Sequence, residues 1–187
     1  MGPHERGRLA REAPERPGLS PHRTLLDWLE AVVDLMGRLA AWAVLLLVGL
    51  VSTNVLVRYF LHEGTVWGQE LEWHLLVPIA LFGIPYALAR EEHVRVDILY
   101  ERFPDRTREL LDLFAAVVGI AVALLLIKFA IPYVEQSWRN GEGSPDPGGL
   151  PARYILKGFL PIGFAILLIQ QVATAARAVI RLRQPTS

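Results

Sequence analysis

Histidines beside carboxylates and arginines inside apolar sequence are the residues of this chain with chemical potential. Span-flanking "WGQELEWHLL" gathers Glu70, Glu72 and His74 within five positions. Such a group can relay protons, hold a metal or ligate haem. His93 and Asp97, four apart in "EEHVRVDILY", can pair on one helix face. Asn54 and Arg58 share a face by the same spacing, and Lys128 interrupts an apolar run. Haem held by two histidines inside a bundle needs a second histidine within a span. His4, His22, His62 and His93 all fall outside the apolar runs, so His74 reads as a satisfied interfacial residue. No cysteine is present, which removes thiolate catalysis, iron–sulfur clusters, disulfides and cysteine-ligated zinc. No cofactor is expected.

The elements that must position these groups are apolar helices. The chain has 187 residues, 52% of them hydrophobic, and its mean hydropathy is +0.33. That composition describes a small integral membrane protein. A net charge of zero gives no basis for nucleic-acid binding. Crossing the hydrocarbon core takes about 20 residues of helix. Four runs meet this length, giving an all-α membrane protein with spans near 37–60, 70–90, 108–134 and 154–178 in a domain over 23–183. Residues 1–22, rich in Arg, Glu and Pro, read as a disordered cytoplasmic tail. No short apolar core with a small-residue cleavage site precedes span one, so that span is expected to persist in the mature protein.

Short amphipathic helices flank the spans. Leu25, Leu29, Val32 and Met36 recur at helical spacing ahead of span one and predict an interfacial helix. Val96, Leu99, Tyr100 and Phe103 do the same between spans two and three, with Arg95, Glu101 and Arg102 off the stripe. Pro104 ends that helix and starts the next. Residues 92–104 therefore read as an arm lying on the membrane surface, with His93 and Asp97 in it. The third connection, 135–153, carries Ser144, Asp146, Pro147, Gly148, Gly149 and Pro151 and reads as a stiff, turn-rich excursion able to bind a partner.

Fourteen of the nineteen Lys and Arg residues lie in the N-terminal segment, the central connection and the C-terminal end. Both termini and the arm are accordingly expected on the cytoplasmic side, and the 135–153 loop on the periplasmic side. Arg58 should meet the start of span two at equal depth, which predicts an ion pair with Glu70 or Glu72. Gln170 and Gln171 are placed to hydrogen-bond between helices.

Few charges lie within the spans, so no ion path is evident in the chain itself. The competing readings are a self-contained homo-oligomeric transporter or channel gated by Glu72 or Lys128, a membrane redox enzyme, and a structural adaptor.

Three stretches carry a resemblance: "NVLVRYF" ending span one, "WGQELEWHLLVPIALFGIPYALAREEHVRVD" through span two, and "SPDPGGLPARYILKGFLPIGFAILLIQ" entering span four. In this order, with four spans, they resemble the small membrane subunit (DctQ-like) of tripartite ATP-independent periplasmic (TRAP) transporters. The resemblance covers roughly residues 50 to 170. It implies a non-catalytic subunit of the bacterial inner membrane. Its partners would be a large multi-spanning membrane subunit, a periplasmic substrate-binding protein and membrane lipid. Uptake, usually of an organic acid, would be driven by an ion gradient. By similarity, Asn54, Arg58 and Glu70 match the polar positions of spans one and two, and His93 and Asp97 the H-x-x-x-D after span two. The arm would then brace the large subunit. Glu91 and Glu92 depart from the pattern, which often has a basic or small residue there.

Overall fold

The computed structural model describes residues 21–62, 64–90 and 103–183, with side chains from Leu26 onward. They form four helices: α1 (Pro21–Leu61), α2 (Val66–Ala89), α3 (Asp105–Arg139) and α4 (Arg153–Arg183). Each is long and apolar enough to cross a membrane. The interfacial helix expected before span one is not separate. It is continuous with the span in a single helix of 41 residues, about 60 Å long at the α-helical rise. The sequence between them, Met36 to Ala40, contains no proline to break the ladder, and Gly37 is tolerated inside it. Pro104 does act as expected. With φ −59° and ψ 150° it caps α3, and its carbonyl accepts from the Thr107 and Arg108 amides at 2.9 and 3.1 Å. Of the arm, His93, Arg95, Val96, Asp97, Leu99 and Tyr100 lie outside the described residues; Phe103 is half-buried at the foot of α3.

The bundle is arranged around α4, which touches all three other helices. Helix α1 packs chiefly on α2, and α3 chiefly on α4. The core is thin. Val33, Ala40, Phe82 and Ile166 form its centre, with Met36, Leu81, Tyr86 and Phe159 against it. Close approach of α1 and α2 depends on Gly37. A Cβ there would lie 2.1 Å from a ring carbon of Tyr86. On α3 the face toward α4 is a stripe of small residues seven apart, Ala116, Ala123, Ala130 and Ser137, all buried. Small residues let membrane helices approach, and a seven-residue period suits a left-handed crossing. Gln170 is fully buried, but its amide donates to Thr174 Oγ1 of its own helix at 3.3 Å rather than across an interface. Gln171 instead lies against Gly119 of α3.

Cross-helix ion pairs close the end of the bundle where α1 begins and α4 ends. Arg90 Nη2 donates to Asp34 Oδ1 at 2.8 Å, joining α2 to α1. Arg177 reaches Glu30 of α1 at 2.6 Å, and Arg181 reaches Glu109 of α3 at 3.3 Å.

Candidate functional site

The other end of the bundle holds the short α1–α2 turn and the α3–α4 loop. Helix α2 begins at Val66, so Glu70 projects from its second turn toward that loop. Its carboxylate gathers the loop around itself. Oε1 accepts from the Ser144 hydroxyl, and Oε2 from the Leu150 amide at 2.5 Å. Arg153, the first residue of α4, places Nη2 3.5 Å from Oε1. The loop is shaped to meet it. Gly141 and Gly148 take positive φ, at 57° and 80°, where an L side chain is strained. The Ser144 amide donates to Leu150 O at 3.1 Å, and the Gly149 amide to Asp146 O at 3.0 Å. Gly149 sits so close that a Cβ would stand 2.3 Å from Ser144 Oγ and 2.7 Å from Glu70 Oε2. Only a residue without a side chain fits there unless the latch opens.

A second pair lies one turn further along α4. Lys157 Nζ donates to Glu142 Oε2 and stands 4.1 Å above the Tyr133 ring of α3. The ammonium of Lys157 holds the Glu142 carboxyl below its ordinary value of 4.5. Trp138 and Tyr154 meet edge to face at 4.5 Å and tie the ends of α3 and α4 together. On the far side of α2, Asn54 Nδ2 donates to Glu72 Oε1 at 2.7 Å. His74 Nδ1 donates to the Glu70 carbonyl at 2.7 Å, so it is satisfied within its own helix.

Between α2, α4 and the loop lies an open groove of about 480 Å³. Val66, Trp73, Val77, Leu156 and Leu160 make its apolar wall, and Glu70, His74, Glu142, Arg153 and Lys157 its polar mouth. These acids and bases are already paired with one another. Among the described residues no three His, Asp or Glu side chains gather to hold a metal.

The structure thus brings together residues that the sequence had placed in separate groups, Glu70 of span two with Ser144 and Gly149 of the loop, and pairs Asn54 with Glu72, which the sequence had placed in one group. It does not form the ion pair expected between Arg58 and either glutamate. Glu70 is engaged by Arg153 and the loop, Glu72 by Asn54, and Arg58 is exposed beside Tyr59, Phe60 and His62 with no ion pair among the described residues. The reason is geometric. Asn54 lies half-buried toward Gly68 of α2, whereas Arg58, one turn later and about 40° further around α1, is exposed near the helix end. In the loop, Asp146 receives its place from its amide, which donates to Ser144 Oγ at 3.1 Å, while Pro147 and Pro151 are exposed. Sequence reasoning missed Glu142, Arg153 and Lys157 as members of this cluster. The i, i+4 spacing of Arg153 and Lys157 in the first turns of α4, opposite two glutamates, was the available signal.

Against known proteins, residues 47–181 match the family described as tripartite ATP-independent periplasmic transporters, DctQ component. The chain is similar to the ectoine TRAP transporter small permease protein TeaB of Halomonas elongata. They are 29% identical over 154 residues, 82% of this chain and 76% of the relative. It is 27% identical over 138 residues to the C4-dicarboxylate TRAP transporter small permease protein DctQ of Vibrio cholerae, 63% of this chain and 60% of that one. It is also 26% identical over 171 residues to the isethionate TRAP transporter permease protein DctMQ of Oleidesulfovibrio alaskensis, 87% of this chain but only 25% of the longer relative. With four membrane-crossing helices, a self-paired polar cluster and a family match over most of its length, the chain belongs to the DctQ component family of the TRAP transporters, a non-enzymatic transport component of the bacterial membrane.

Proposed function

We propose that this protein is the small permease subunit of a TRAP-type secondary transporter. It scaffolds a large multi-spanning membrane subunit that takes up an organic acid delivered by a periplasmic binding protein and driven by an ion gradient. The observation that carries the reading is the internal pairing of its polar groups. Glu70 pairs with Arg153 and Glu72 with Asn54 across helices, Glu142 of the loop pairs with Lys157, and the opposite end is closed by three further cross-helix ion pairs. Groups committed in this way brace a unit; they leave no relay across it. The match to one quarter of the longer DctMQ permease chain supports a partner. There, the equivalent of this unit is covalently continuous with further permease sequence.

Helix α1 begins and α4 ends at the same end of the bundle, as four spans require. The excess of Arg toward that end and in the central connection supports a cytoplasmic side there, in an inner membrane, and a periplasmic side for the Glu70-latched loop. On this reading the loop faces the binding protein.

The test is mild detergent extraction of the tagged chain from its native membrane, with mass spectrometry of the co-purifying proteins and flux assays on liposomes holding the chain alone. A stoichiometric large permease and silent liposomes are expected. A partnerless homo-oligomer that conducts would overturn the reading in favour of a self-contained channel.

A further inference from the structure

Lys128 is a charge deep within a span that the fold, among the described residues, does not use. It stands in α3, six residues before the end of the apolar run 110–134, about 9 Å along the helix axis. Trp138, which marks the interface on α3, lies ten residues away, about 15 Å. Its side chain is exposed and has no hydrogen bond or ion pair among the described residues. Escape by snorkelling is poorly served here. Side chains on a helix tilt toward its N-terminus, so Lys128 leans toward the bilayer centre and away from the nearer interface, whichever way the chain is oriented.

The helical face it occupies is equally informative. Ala123 and Ala130, which pack toward α4, lie about 140° and 200° around the helix from Lys128 at 100° per residue. The surrounding face is made by Leu124, Leu125 and Ile131, each more than half exposed, with Ala121. Helix α3 also packs chiefly on α4, which leaves this face uncovered by the rest of the bundle. An ammonium at this depth needs a counter-charge. Lipid phosphates lie at the headgroup level, beyond Trp138. A second copy meeting this face about a two-fold axis would set Lys128 against Lys128 in a medium of low dielectric. Glu135, the nearest acid along the face, is engaged by Arg139.

We propose that the outward face of α3 centred on Lys128 is the docking surface for a transmembrane helix of the large subunit, and that this helix presents a carboxylate to the Lys128 ammonium. The inference rests on the subunit reading given above and adds the face and its chemistry. Without the partner, the charge is a liability to the isolated chain; with it, the charge fixes the depth and rotation of the contact.

The test uses the two subunits co-expressed, with the tag on this chain. Lys128→Met should insert normally and raise the yield of the chain expressed alone, because it removes a lipid-exposed charge. The same variant should reduce the large subunit retained after mild detergent extraction by about tenfold or more, while Lys128→Arg retains it. A photo-crosslinking residue at Leu124 or Ile131 should join the large subunit. Full retention by Lys128→Met, or adducts at both positions with lipid or with a second copy only, overturns the proposal and leaves the subunit reading standing. Failure of the wild-type chain to retain any large subunit overturns both.

Discussion

The contact between Gly37 and Tyr86 makes a quantitative prediction about how α1 and α2 are held. A Cβ at position 37 would stand 2.1, 2.4 and 2.8 Å from three carbons of the Tyr86 ring. Carbon atoms in contact settle near 3.5–4.0 Å, so Gly37→Ala forces the ring back by about 1.5 Å. That retreat is obstructed. The Arg90 guanidinium stands 5.3 Å from the ring centroid, and the same group is anchored on Asp34 of α1. Overpacking of this kind costs about 1–3 kcal/mol, and alanine returns up to about 1 kcal/mol through helix propensity. The single variant alone therefore does not isolate the clash. A double-mutant cycle does, because the propensity gain is common to both backgrounds and cancels. Gly37→Ala should destabilise the protein when Tyr86 is present and stabilise it when Tyr86 is replaced by alanine, with a coupling of about 1–3 kcal/mol. Thermal unfolding in mild detergent, followed by tryptophan fluorescence, reads this as a shift of about 2–4 °C per kcal/mol for a chain of this size. A coupling below about 0.5 kcal/mol, within the scatter of independent sites, would refute the close approach of α1 to α2 at this point.

At the opposite end, Gly149→Ala should open the Glu70 latch and expose the 140–152 loop to protease while the helices persist, and Glu70→Gln should do the same to a lesser extent; unchanged cleavage rates would remove the latch. The loop should also respond to acid. Lys157 holds the Glu142 carboxyl below 4.5 in the folded protein, so this pair contributes stability above the ordinary carboxylate value and loses it as pH falls through the lower folded-state value. Protease accessibility of the loop should rise in that acidic window, and Glu142→Gln should reduce the step, leaving the part that the Glu70 carboxylate contributes. Arg58→Ala should leave the unfolding of the isolated chain unchanged, because the side chain is exposed and unpaired among the described residues; a loss of several degrees would restore it to a structural role. Reversing Arg90 to Glu should destabilise the isolated chain through repulsion of Asp34, and Asp34→Arg in the same chain should recover part of the loss in the same unfolding assay.

The spans were legible because hydrocarbon imposes one rule on every residue of a segment: twenty apolar residues without an alternative partner for their amides must be helical. Prolines followed a second simple rule. Pro104 capped α3, while Pro78, Pro85, Pro132 and Pro161 remained inside helices, where membrane packing tolerates them. Pairing was far less legible. Arg58 and Asn54 stand one turn apart on nearly the same face, yet only Asn54 is half-buried against α2, and which of the two meets it depends on how far along α1 the start of α2 packs. Nothing in local sequence fixes that height; in the structure Gly68 of α2 lies against Asn54. Glu70 and Leu150 are eighty residues apart, and their contact rests on a loop whose path is set by Gly141 and Gly148 at positive φ. The Ala116, Ala123, Ala130 and Ser137 stripe, by contrast, was present in the sequence as a seven-residue period and could have located the α3–α4 contact.

The distribution of polar contacts explains how so thin a core holds a defined shape. Lipid tails are as apolar as leucine, so burying leucine between membrane helices gains little, and small residues with occasional polar links must do the work. Here the links stand at both ends rather than at the centre. Asp34–Arg90, Glu30–Arg177 and Glu109–Arg181 join α1 to α2, α1 to α4 and α3 to α4 at the terminal end. Glu70–Arg153 and Asn54–Glu72 join α2 to α4 and α1 to α2 at the other, with Glu142–Lys157 fixing the loop to α4. Ion pairs near an interface avoid the full desolvation cost of the bilayer centre and still fix rotation and register, because each requires two helices to present one residue each at the same height. A bundle pinned at two levels resists both tilting and sliding of its helices. That rigidity suits a static scaffold and is a poor basis for a unit that must alternate between states. It leaves Lys128, unpaired among the described residues and between the two pinned levels, as the charge for which the proposed docking helix supplies a counterpart.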